Sequence, residues 1–205
     1  FDYSELTENQ ITQFEEKIEN LKSKNPFFEI IIDELENRNC IIKIVIDSTK
    51  TLAAFQPGKD KFSGTIYFEN LEIIDDEYSI LEEFFHCFQH NFYNGLMLTR
   101  NENNEIPGGS NIEYEAKLMR AIILLSNGSM ISETPSQKGL LDFTLSILDE
   151  KGDFSLNELS EKQFEDYITL VKYFQSHWKT RNINENLDNF YDDPVIETIK
   201  PDATF

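Results

Sequence analysis

The sequence predicts an α+β fold, mostly helical, with a small sheet packed on a central helix. Two patterns lead there. Apolar residues recur at helical spacing through most of the chain, whereas β-branched runs bounded by turn residues are confined to about residues 40–68. The composition supplies a core for both: 40% of the 205 residues are hydrophobic, and 17 Phe and 8 Tyr provide much of the bulk. Such a length suits one domain. Within it, residues 1–38 carry two helices, 39–126 the strands and two further helices, 127–181 the last helices, and 182–205 an extended polar tail with Pro194 and Pro201.

The elements follow in order. Residues 4–25 read as a polar amphipathic helix, with Thr7 and Gln10 at capping-box spacing and Ile11, Phe14, Ile18 and Leu21 on one buried face. Pro26 suits the first turn of a second helix to about residue 37, with Phe27, Ile30, Ile31 and Leu35 inward. Residues 40–47 (Ile41, Ile42, Ile44, Val45 and Ile46 among them) read as a central strand. Residues 51–55 give a second short strand, 56–60 a turn, and 64–68 a third strand. The next helix begins near Asp75 or Asp76, where acids favour a helix N-terminus, and runs to about Phe92. Asn94-Gly95 ends it. Residues 96–110 form a polar loop. Residues 111–126 form a strong helix with Ser110 or Asn111 as N-cap and Asn127-Gly128 closing it. A helix over 136–149 follows, then a turn at Gly152-Asp153 and a second capping pattern from Ser155 to Glu158. The last helix runs to about residue 180, with Phe164, Ile168, Val171 and Phe174 inward and Trp178 anchoring its end.

The formal charge is −20 and the pI about 4.4, so the surface repels phosphate backbones and nucleic acid is not an expected partner. Anionic membranes are disfavoured for the same reason. No apolar run is long enough for a transmembrane segment. Two cysteines, Cys40 and Cys87, make no disulfide framework; they read as two buried thiols, with a single bridge between them as the alternative. The chain starts at Phe1 rather than Met, which favours a secreted, periplasmic or surface-attached product of signal removal.

Residues 81–90 concentrate the chemistry. They read Leu-Glu-Glu-Phe-Phe-His-Cys-Phe-Gln-His and hold two of the three histidines. Glu82, His86 and His90 recur every fourth residue, and at about 100° per residue that spacing makes one polar stripe on a helix. Phe84, Phe85 and Phe88 pack on its other faces. Buried ionisable groups are costly unless paired or bound to a metal.

The stretch resembles the zincin metallopeptidases, which carry His-Glu-x-x-His on a helix. There the histidines bind zinc from consecutive turns and the Glu acts as general base on the metal-bound water. Here the pattern is Glu82-Glu83-Phe84-Phe85-His86, with Glu82 in place of the first His. In the gluzincin type a Glu on the following helix, in a Glu-x-x-Ala context, is the third ligand. Glu113-Tyr114-Glu115-Ala116 matches it. Gln89 resembles a polar residue often found one turn after the second His in related bacterial sequences. The resemblance covers about residues 66–120. It implies that Glu82, His86 and Glu113 hold zinc or another divalent ion and that Glu83 activates water. His90 is the alternative to the lost ligand, at the expense of Glu83's position, and Gln89 and Glu115 are further alternates. Glu115 is expected at the surface, and His177 is structural or exposed. Direct coordination requires His86 and Glu113 within about 8 Å of one another. The resemblance also makes the 64–68 strand a cleft wall offering backbone groups to an extended peptide or protein ligand; an ordinary hairpin is the other reading.

Two anionic ligands neutralise more of a metal's charge than histidines do, so its bound water is less acidic. The expected function is therefore a degenerate zincin-like domain, catalytically impaired or inactive. The alternatives are an active metal-dependent peptidase or amide hydrolase with an altered first ligand, and a non-catalytic interaction domain without metal. In the last case His86 and His90 would be buried side chains hydrogen-bonded to nearby acids, and Gln89 a packing amide. No Gly-x-Ser-x-Gly elbow, Walker loop or Gly-x-Gly-x-x-Gly fingerprint offers another chemistry.

Overall fold

A computed structural model describes residues 1–50, 52–73, 77–95, 109–126, 128–150, 154 and 159–177. They are α+β, mostly helical with one three-stranded mixed sheet. The elements fall into two units, Phe1–Leu98 and Thr99–Phe205.

In the first unit, helix α1 spans Glu8–Lys24. Thr7 caps it in a capping box: Gln10 N–H donates to Thr7 Oγ1, and Thr7 N–H donates to Gln10 Oε1 at 2.9 Å. The helix starts later than residue 4 because residues 3–6 form a turn closed by Leu6 N–H on Tyr3 C=O. Phe14, Ile18 and Leu21 are buried and Ile11 is half-buried. Asn25 ends α1 and caps the next helix, α2 (Pro26–Asn37), its side-chain oxygen accepting from Phe28 N–H at 3.2 Å. The buried face of α2 is Phe27, Phe28, Ile31, Ile32 and Leu35, with Ile30 only half-buried. That face is wider than one stripe because α2 packs against two helices, α1 and the later α3.

Strands β1 (Ile41–Ile46), β2 (Ala53–Pro57) and β3 (Ser63–Phe68) form a sheet in the order β1-β3-β2. β1 runs parallel to β3, from Ile41↔Ser63 to Ile46↔Phe68; β2 runs antiparallel, from Ala53↔Phe68 to Pro57↔Gly64. This corrects two expectations. The apolar 40–47 run lies at an edge, not the centre: Ile41 is exposed, and Ile42 and Ile44 are the buried pair. The 64–68 strand lies at the centre, paired on both sides as half of a β2–β3 hairpin. Its backbone is already bonded, so it offers no edge to a peptide. Pro57 is tolerated because β2 is the edge strand. Beneath it, Gly64 admits the Phe55 ring, which a Cβ there would strike. Asp2 bonds to the outer side of β1, its N–H to Ile42 C=O (2.9 Å) and its C=O from Ile44 N–H (3.0 Å).

Helix α3, Glu77–Phe92, lies against β2, β3 and α2. Ile80, Leu81, Phe84, Phe85, Cys87 and Phe88 are buried. Asn91 ties it to its neighbours, accepting from Arg38 (3.1 Å) and donating to Lys61 C=O (3.2 Å). Asn94 and Gly95 both take left-handed conformations, and Gly95 N–H closes on His90 C=O at 2.8 Å. The loop expected over 96–110 lies almost wholly outside the described residues.

In the second unit, helix α4 spans Gly109–Ser126. Ser110 and Asn111 are inside it, so neither is the N-cap; Asn111 is instead a buried helical residue. The helix is buried on most sides, and Glu115, expected at the surface, is 3% exposed. Gly128 closes α4 with φ +70, and Ser129 N–H reaches Leu124 C=O. The helix expected over 136–149 is divided. Pro135–Gln137 is a short 3-10 turn, Gly139 has φ +90, and α5 runs over Leu140–Ile147. The Glu133 carboxylate accepts from the backbone N–H groups of Gly139 and Leu141 at its start. Helix α6 spans Glu161–His177, capped by a Ser160–Gln163 box that reads Ser-x-x-Gln in the sequence. Tyr167, Val171 and Phe174 are buried; Phe164, expected inward, is 37% exposed. The Ser155–Glu158 cap, the 152–153 turn, Trp178 and the 182–205 tail lie outside the described residues. α4, α5 and α6 pack mutually, with Tyr114 edge-on to Tyr167 and Phe174. No described helix is long and apolar enough to cross a membrane.

Candidate metal centre

Glu82 and His86 lie one turn apart on α3, and Glu113 lies in the first turns of α4. Each offers one ligand atom, and these atoms all lie within 4.8 Å of one another. His86 is 6% exposed, and both glutamates are half-buried. Two donors about 2 Å from one ion sit no more than about 4 Å apart. The three therefore form a group that could hold a metal ion.

The imidazole is already oriented. His86 Nδ1 lies 2.9 Å from Oε1 of the fully buried Gln89. An amide oxygen only accepts, so Nδ1 carries a proton, and Nε2 is the ring atom that a metal would use. Gln89, an alternate ligand by sequence, is thereby the partner that sets the tautomer of His86. The i, i+3 spacing on one helix is the signal that carries this pairing.

The other candidates stand apart from the group. Glu83 accepts a hydrogen bond from Phe55 N–H at 2.5 Å, tying α3 to the edge strand β2. One oxygen of the expected general base is thus engaged with backbone. His90 is buried, donates from Nε2 to Asp60 C=O at 3.0 Å, and lies tilted against the Phe55 ring. Burial pushes its pKa down, partly opposed by the Asp60 carbonyl and carboxylate, so the ring favours the neutral form. Its Nδ1 has no hydrogen-bond partner among the described residues. The acid expected beside His90 is thus met through its backbone oxygen. Glu115 is buried outside the group of three. His177 is exposed and stacks on Tyr173 at 3.9 Å. Asn111 gave no sign from sequence beyond capping, yet both its amide atoms are buried without a partner among the described residues.

Comparison with known protein families, curated proteins and solved structures finds no match to this chain.

Proposed function

We propose that this chain is a zincin-like domain in which Glu82, His86 and Glu113 hold a divalent ion, with hydrolytic activity impaired or lost. The approach of their ligand atoms to within 4.8 Å carries the reading. Zinc accepts such a mixed oxygen and nitrogen set, and harder divalent ions favour the two carboxylates. When bound, the ion would supply Lewis acidity, weakened by two anionic ligands. Gln89 holds the His86 proton on Nδ1, and Glu82 and Glu113 bring the compensating charge. The engagement of Glu83 with Phe55 N–H supports impaired rather than full general-base catalysis.

Metal content by elemental mass spectrometry tests the reading. About one equivalent of a divalent ion, lost in His86→Ala, supports it. No metal after incubation with excess zinc overturns it and leaves an interaction domain without metal.

A further inference from the structure

Two cysteines line a common cavity in the first unit, and the metal reading uses neither. Cys40 stands between left-handed Asn39 and β1, half-buried, its N–H on Leu35 C=O at 2.9 Å. Cys87 is buried on α3. Both border one cavity of about 10 Å³, walled further by Leu35, Ile42, Phe55 and His90. That volume is about one water molecule's worth. Both are free in this structure.

We propose that Cys40 and Cys87 are a reversible disulfide pair, closed by a small-molecule disulfide of the oxidised-glutathione class. Cys40 is the entering sulfur because it is the more exposed. It attacks one sulfur of the oxidant, a mixed disulfide forms, and one glutathione thiol leaves with the Cys40 proton. Cys87 sulfur then attacks Cys40 sulfur across the void. The second glutathione leaves with the Cys87 proton, so the protein loses two electrons and two protons and the oxidant gains them. Burial raises both thiols, so exchange is slow. The bridge fastens the start of β1 to α3 at the residue beside His86.

The test treats the reduced full chain with oxidised glutathione, then quenches in denaturant with an alkylating agent and measures intact mass. The expected product has lost two hydrogens, carries no alkyl group, and regains two alkylation sites after reduction. Cys40→Ser treated alike should carry one alkyl group and no glutathione. Two alkyl groups on the treated wild-type chain, or a glutathione adduct that persists without bridging, overturns the proposal.

Discussion

Gln89 accepts from Nδ1 of His86 and so sets which ring nitrogen is left to face a metal, were one bound. Replacing it with Leu removes the acceptor on Nδ1. Divalent-ion affinity should then fall about 10–100-fold, while Gln89→Glu, which keeps an acceptor, retains most of it; competition titration against a chelating dye separates the two. His90 makes a different prediction. Its folded pKa lies below the unfolded value of about 6.5, so the unfolded chain binds the proton more readily. Its contribution to stability is complete above that value and declines as pH falls through it. Thermal midpoints between about pH 7 and pH 5 should drop more steeply in wild type than in His90→Gln. The sequence singled out Glu82, His86 and Glu113 only through a motif resemblance. It did not make the partners legible. Asp60 meets His90 through a backbone carbonyl, and backbone groups have no letter in a sequence.

Some helix ends were readable because capping is local chemistry: Thr7 with Gln10, Pro26, and Gly95 each act within a few residues of themselves. Sheet order was not, since alternation fixes which face of a strand is buried and says nothing about its neighbours. The α6 stripe shows the same limit. Phe164, Ile168, Val171 and Phe174 fit helical spacing, yet the face that meets α4 and α5 is centred on Tyr167. Phe28 and Phe164 therefore behave differently when shortened. Phe28→Ala, at a fully buried position against Phe84, should cost about 3–5 kcal/mol. Phe164→Ala, at a position 37% exposed, should cost less, about 1 kcal/mol. Denaturant melts of both variants check the pair.

The −20 charge sets the background in which any cation binds. If the Glu82, His86 and Glu113 group holds a divalent ion in the folded chain alone, as proposed, that ion should raise the melting temperature. At 100 times its dissociation constant the gain is about 2.7 kcal/mol. Chelator should remove that gain, and His86→Ala should show none of it in differential scanning calorimetry. Charge and composition were plain from the sequence; which side chains come together was not, because spacing along a chain does not report distance through space. The strand order carries one more consequence, for the chain as it is being made. β1 emerges first, and its one partner among the described strands is β3, which emerges last of the three. Until Phe68 has left the ribosome, the run Ile41–Ile46 has no sheet to join, and apolar β-branched segments in that state invite aggregation. The residues around Asp2 precede it in synthesis and bond to its outer edge in the finished fold, so the growing chain already holds a short escort for its most vulnerable strand.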